Sequence, residues 1–196
     1  MTGKNTDIDF LITHVSKHVS LTANETAFFI SLLRSTSLRS GEFLIHAGDV
    51  CKHESFVVRG CLKSYSEDEH GVERVLDFFV EEWWADDLYS FLTKTPSKTS
   101  VVALEKTDLL QIRKNDLELL YEKTPKFERF FRVLFQNAFI AQREQTHLHL
   151  FTPAEERYRL FLKKKPYAAK RFTQKDIASY LGVTPQFLSR LKNKMR

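Results

Sequence analysis

Twenty-four consecutive residues, Lys126 to His149, contain neither glycine nor proline and follow directly on Pro125. Within them Phe127, Phe131, Leu134, Ala138, Ala141, Gln145 and Leu148 recur at spacings of four and three, an a/d seam held for about three heptads. The pattern predicts one long helix and an interface along its length. The small Ala138 and Ala141 would let a second helix approach closely, which favours dimerisation. A second apolar edge of Phe130, Val133 and Ile140 flanks the seam and could face the strand-rich domain; a single amphipathic helix buried within the chain is the other reading.

The sequence changes character on either side of this helix. Residues 8–36 read as helical, with Phe10, Leu11, His14, Val15 and Val19 at helical spacing and a capping box at Thr22-Ala23-Asn24-Glu25. From Gly41 to about residue 113 the period shortens. Phe43-Leu44-Ile45, Ser55 to Val58, Cys61 to Tyr65, Val72 to Phe79 and Val101 to Leu104 are short β-prone runs separated by glycines. Ser66 to Gly71 reads as a hairpin turn. Many short strands at regular spacing predict an antiparallel sandwich or jelly roll.

Beyond the helix the charge balance shifts. Residues 152–196 hold 12 Lys and Arg against Glu155, Glu156 and Asp176, a balance of +9 within a chain whose net charge is +5. A small basic module on a mildly acidic body suits a nucleic-acid reader with a separate sensing or assembly domain. Thr152-Pro153-Ala154-Glu155 has the form of a helix start, with Thr152 as cap and Pro153 in the first helical position.

Several function classes lose support on composition. No apolar run approaches the roughly 20 residues of a membrane span. Met1 to Phe10 is polar and fits no signal peptide, so the expected location is the cytoplasm. Cys51 and Cys61 are too few for a disulfide framework or an iron–sulfur cluster, and read as small buried residues on strands. His46, His53 and His70 are conceivable haem ligands. His147 and His149, two apart on a helix, point to different faces and do not form a metal site. Trp83-Trp84 reads as barrel packing. Asp86 and Asp87 lack the attendant base, metal ligands or glycine loop of a catalytic pair. No enzyme, metal or cofactor is expected.

The most specific signal lies between Thr173 and Leu191. Ile177, Ala178 and Leu181 form the inner face of one helix, and the small Ala178 admits a close crossing. Gly182 makes the turn and Val183 plugs the corner. Thr184 caps a second helix and Pro185 takes its first position. Leu188 and Leu191 pack inward with Phe187 beside them. That leaves Gln186, Ser189, Arg190 and Asn193 on an outer face able to reach base edges in a major groove. Gln174 and Thr184 are placed to bond phosphates, and Lys192 and Lys194 add charge.

With these residues in view, the whole chain resembles the Crp/Fnr family of transcription regulators, whose catabolite activator is a standard helix-turn-helix example. Gly41-Glu42-Phe43-Leu44-Ile45, Phe56-Val57-Val58-Arg59-Gly60-Cys61-Leu62-Lys63, Gly71 to Leu76 and Phe187-Leu188-Ser189-Arg190-Leu191 carry the likeness. The resemblance implies a cyclic-nucleotide-binding-like barrel, a dimer helix and a DNA-binding domain. In nucleotide-binding members a Gly-Glu pair and a later Arg cradle the cyclic phosphate. Here Asp86 stands in place of that Gly and Lys98 in place of that Arg. Asp87 could still accept from a ribose hydroxyl, so a low-priority effector pocket would comprise Asp86, Asp87, Lys98 and Thr99. A carboxylate beside a phosphate is repulsive and Lys lacks the guanidinium fork, so tight cAMP or cGMP binding is not expected. Family members usually continue into a β-hairpin wing, whereas this sequence stops at Arg196. The wing's backbone contacts would then fall to Lys164, Lys165, Lys170 and Arg171.

The expected fold is therefore α+β: an antiparallel jelly-roll domain over residues 1–120, a dimerisation helix over 121–150, and a helix-turn-helix domain lacking a full wing over 151–196. The dimer surface comprises Phe127, Phe131, Leu134, Ala138, Ala141 and Leu148. The expected function is sequence-specific regulation of transcription by a homodimer on a pseudo-palindromic operator in double-stranded DNA, without response to cAMP. RNA polymerase is a further candidate partner, and no membrane is involved. The alternative is a small-molecule sensor or scaffold that uses the barrel and binds no specific DNA.

Overall fold

Two helices open the chain, α1 (Thr2–Ser16) and α2 (Ala23–Leu32). The computed structural model describes residues 2–194, so Met1, Met195 and Arg196, and with them the chain end behind the expectation of a missing wing, lie outside the described residues. α2 starts as the capping pattern predicts. Thr22 Oγ1 accepts the Glu25 N–H and the Glu25 carboxylate accepts the Thr22 N–H at 2.7 Å. The helical reading ran too far, however. Residues Arg34–Leu38 form strand β1, because their backbone pairs with β7 (Thr107–Arg113) and a long-range ladder overrides local periodicity.

The strands between are β2 (Phe43–Ile45), β3 (His53–Arg59), β4 (Leu62–Glu67), β5 (Glu73–Phe79) and β6 (Ser100–Ala103), with the short helix α3 (Leu88–Thr93) between β5 and β6. They form two antiparallel sheets, ordered β1-β7-β3 and β2-β6-β4-β5. Apart from the β4–β5 hairpin, strands adjacent in a sheet are distant in sequence, which is jelly-roll wiring rather than a meander. Phe56, Phe78, Leu62, Leu109, Leu110 and Ile112 are almost fully buried. Cys51 and Cys61 are buried thiols as expected, though both stand in the connections beside strands rather than on them.

α4 (Lys114–Lys123) and α5 (Lys126–Phe151) follow. At 26 residues α5 is about 39 Å long. Phe127, Phe130 and Phe131 in its first two turns are at most 1% exposed. Phe127 stacks on Phe29 at 4.5 Å, and Phe131 meets Trp84 at 5.2 Å and Tyr121 at 5.9 Å. Burying each ring contributes about 2–3 kcal/mol. This corrects the predicted dimer surface. Phe127 and Phe131 are core residues of their own chain, since a heptad pattern does not say which partner fills it. Leu134 is half-buried, while Ala138 and Ala141 are exposed and Leu148 is half-buried. Ile140, expected to face a neighbouring domain, is 54% exposed.

Contacts divide the described chain into two compact units, one of residues up to Ser66 with Phe78–Leu134, the other of Glu67–Asp77 with the residues from Phe135 on. The second holds the rest of α5 and then α6 (Ala154–Lys164), α7 (Ala168–Arg171), α8 (Gln174–Tyr180) and α9 (Pro185–Lys194). Thr152 does not cap α6. Its N–H still bonds the Leu148 carbonyl, so it closes α5, and Pro153 with ψ 146° becomes the cap residue without a side-chain bond.

The β3–β4 connection turns on Gly60, at φ +95°, where a Cβ would lie 2.5 Å from the Lys106 carbonyl oxygen. Gly60→Ala is expected to lower unfolding free energy by about 2 kcal/mol or more, read from a urea titration.

Candidate nucleic-acid interface and effector segment

The helix-turn-helix forms from residues 173–194 as its sequence dictates. Thr173 Oγ1 accepts the Asp176 N–H at 3.1 Å and donates to the Asp176 carboxylate at 2.6 Å, which starts α8. Gly182, at φ +66°, makes the turn, and the Val183 N–H reaches back to the Ala178 carbonyl. Thr184 Oγ1 then accepts the Phe187 N–H at 3.1 Å and starts α9 with Pro185 in its first position. Ile177, Ala178, Leu181, Leu188 and Leu191 are all buried. Phe187, placed inward by the sequence reading, is 39% exposed, because the two leucines already fill the inner face.

On the other side of α9, Gln186, Ser189, Arg190 and Asn193 are exposed and Lys192 is half-buried. Among the described residues Arg190 enters no ion pair, so its guanidinium is not committed elsewhere. Thr184 is exposed, but its hydroxyl oxygen serves as the cap. Gln174 is exposed and donates from Nε2 to the Pro185 carbonyl at 3.2 Å, bridging the two helix starts. Gln174, Thr184 and Gln186 stand at the N-terminal end of α9, where unpaired backbone N–H groups and the helix dipole favour anions, and Ser189, Arg190 and Asn193 continue the polar face along the helix.

Two residues that the sequence reading passed over, Arg157 and Tyr180, brace this unit. Arg157 donates from Nη1 to the Thr152 carbonyl at 2.7 Å and from Nη2 to the Leu181 carbonyl at 2.9 Å, fastening the turn. Tyr180 Oη donates to Gln145 Oε1 at 2.8 Å. Gln145, read as a seam position, thus binds the reading head of its own chain. Lys165, counted among the substitutes for a wing, is 8% exposed and donates to Asp77 at 3.4 Å. Lys164 bonds Glu144 at 2.9 Å. Neither is a free cation. An arginine or lysine with a structural partner looks the same in a sequence as one that meets phosphate.

Of the predicted effector residues, Asp87 and Thr99 meet through Ser97. Asp87 caps α3, accepting the Ser90 N–H at 3.2 Å on one oxygen and the Ser97 hydroxyl at 2.5 Å on the other. Each oxygen thus accepts one bond from its own loop. Ser97 Oγ also accepts the Thr99 N–H at 2.9 Å, so Asp87 and Thr99 share one loop-closing network. Lys98 is exposed, and its carbonyl takes the Ser66 hydroxyl. Trp84 is buried as expected of barrel packing, but Trp83 is 39% exposed.

Asp86 turns toward Glu54 on β3, a residue with 0% exposure and neither oxygen hydrogen-bonded among the described residues. Burial, then the charge of Asp86, pushes the Glu54 carboxyl well above the usual range, while Lys114 pulls it down. Burial likewise raises Asp86 to about 7, despite its contact with Glu54. Glu54 escaped the sequence reading because a single acid in a β-run reads as an exposed position.

Among the described residues no group of three or more His, Cys, Asp and Glu could hold a metal ion, and no helix is long and apolar enough to cross a membrane. Burial lifts the Cys51 thiol to about 11, which leaves it protonated and unreactive at neutral pH.

Comparison with known proteins places these features in context. Residues 35–124 match the cyclic nucleotide-binding domain. Electron transport regulator A of Shewanella oneidensis is 27% identical over 191 residues, covering 90% of this chain and 75% of that protein. The fumarate and nitrate reduction regulatory protein of Vibrio cholerae is 28% identical over 176 residues, covering 83% and 69%. The structure of FixK2 from Bradyrhizobium japonicum superposes with a TM-score of 0.73 at 17% identity, covering 83% of this chain and 84% of that one, a likeness of fold.

Both buried carboxyls hold their protons to higher pH in the fold than in the unfolded chain. Their contribution is full below the ordinary carboxylate range and lost as pH rises through about 7 for Asp86. Urea midpoints of the parent are expected to fall between about pH 5 and about pH 8, and Glu54→Gln to flatten that fall.

Proposed function

We propose that the chain is a DNA-binding transcription regulator of the Crp/Fnr type, and that it reads a pseudo-palindromic operator as a homodimer without requiring cAMP. The observation that carries this reading is the uncommitted polar face of α9. Gln186, Ser189 and Arg190 are exposed at the helix's N-terminal half, and Arg190 has the planar fork that recognises guanine bidentately. Thr184 and Gln174 stand beside that face, where a phosphate would approach, and Lys192 adds attraction along the backbone, whereas Lys194 is paired with Glu155 at 3.3 Å.

The dimer half of the reading rests on α5 beyond Leu134. Phe139 is 66% exposed, Ile140 54%, Leu150 70% and Phe151 72%, and the small Ala138 and Ala141 are exposed among them. So much apolar surface on one helix suits a second copy of itself. Two reading heads related by a two-fold axis would meet half-sites about one helical turn apart. Independence from cAMP follows from Asp86 and Asp87. One carboxyl stands against another in the segment where a phosphate would need donors, the other is consumed in capping α3, and Lys98 is exposed.

Selection of bound duplexes from a random pool, with and without cAMP, tests the whole reading. One palindromic motif is expected in both arms, and a motif recovered only with cAMP would overturn the cAMP-independent part. Arg190→Ala is expected to cost about 1–3 kcal/mol of operator affinity and to relax preference at one base position. Phe139→Glu is expected to shift the protein to monomer in sedimentation and to abolish binding to the full operator. A variant that remained dimeric would place the interface elsewhere.

A further inference from the structure

Strand β5 lies at the edge of its sheet, so one side of its backbone has no neighbouring strand. Its first half belongs with the tip of the β4–β5 hairpin, residues Glu67–Asp77, to the C-terminal unit. There Ser179, on α8, accepts the Val75 N–H at 2.9 Å and donates to the Glu73 carbonyl at 2.9 Å. Residues i and i+2 of a strand direct these groups to the same side. A single hydroxyl, being both donor and acceptor, therefore completes the ladder as a further strand would. Two residues on, Asp77 receives the buried Lys165 ammonium. The arm is thus held at Glu73, Val75 and Asp77, on alternate residues.

The reading residues lie elsewhere: Gln186, Ser189 and Arg190 are all exposed, so the arm leaves them open. We infer that Ser179 is a positioning residue of the reading head, its hydroxyl holding α8 on the hairpin arm and, through the turn at Gly182, setting the pose of α9. Gly182 and Val183 bond back to Ser179 and Ala178, so the turn transmits the placement of α8 directly. Base readout depends on angles that a loosely held helix pair does not keep. Contact with phosphate, which is long-ranged and tolerant of angle, depends on them far less. Loss of the clasp should therefore act on specific binding and spare non-specific binding. Ser179 is half-buried and the edge groups can turn to water, so removal of its hydroxyl leaves the unit folded.

The inference goes beyond the operator reading and rests on it for its DNA readout. The test compares the full chain with Ser179→Ala and Ser179→Thr, measuring affinity for the selected operator, affinity for random duplex, and exchange of the Val75 amide. Ser179→Ala is expected to lose about tenfold on the operator, to match the parent on random duplex, and to expose the Val75 amide. Ser179→Thr, which keeps the hydroxyl, is expected to match the parent in all three measurements. Equal loss on operator and random duplex, or no rescue by threonine, overturns the inference. A parent that retains no duplex sinks the operator reading and this one together, whereas an alanine variant that matches a binding parent sinks this one alone.

Discussion

Burial of Phe127, Phe130 and Phe131 decides where the long helix stops being core and becomes surface. These three rings, with Trp84, Tyr121 and Phe29, form one aromatic cluster, and α4 and α5 are anchored by it. Its contribution, about 2–3 kcal/mol for each ring, is large against the marginal stability of any domain of this size. Two turns later the same helix carries Phe139 and Ile140 into solvent. One amphipathic pattern therefore serves two partners in succession, first the chain's own barrel and then, in the proposed assembly, a second copy.

The reading head depends on a different kind of interaction. Its helices are short and its core holds only a few large side chains, so backbone capping and side-chain staples supply much of its definition. Thr173, Thr184 and Gly182 set the helix ends, Arg157 fastens the turn, and Ser179 fastens α8. Each bond contributes only about 1 kcal/mol, but together they remove angular freedom that a recognition helix cannot have. The exposed face of α9 is left without structural duties, and Arg190 is the member of that face with the most specific base-reading geometry.

In the barrel, the segment from Asp86 to Thr99 is tied into its own structure. Asp87 and Ser97 close the loop around α3, and Asp86 meets the buried Glu54. Burial and the facing Asp86 raise the Glu54 carboxyl well above its usual range, and burial raises Asp86 to about 7. The polar groups of this segment are thereby engaged largely with one another.

Local chemistry made a good part of this legible in the sequence. The capping box at Thr22 and Glu25, the turn at Gly182, the cap at Thr184 and the inward Leu188 and Leu191 are all short-range devices, and short-range devices act wherever their residues occur. Periodicity likewise announced the helix at residue 126 and the strand-rich stretch before it. What tertiary structure alone decided was partnership. Whether Phe131 meets its own chain or another, whether Lys165 meets Asp77 or a phosphate, and whether Asp87 binds a ligand or caps a helix depend on residues distant in sequence. A side chain carries its chemistry in the sequence, but its partner is set by the long-range packing that brings the two together.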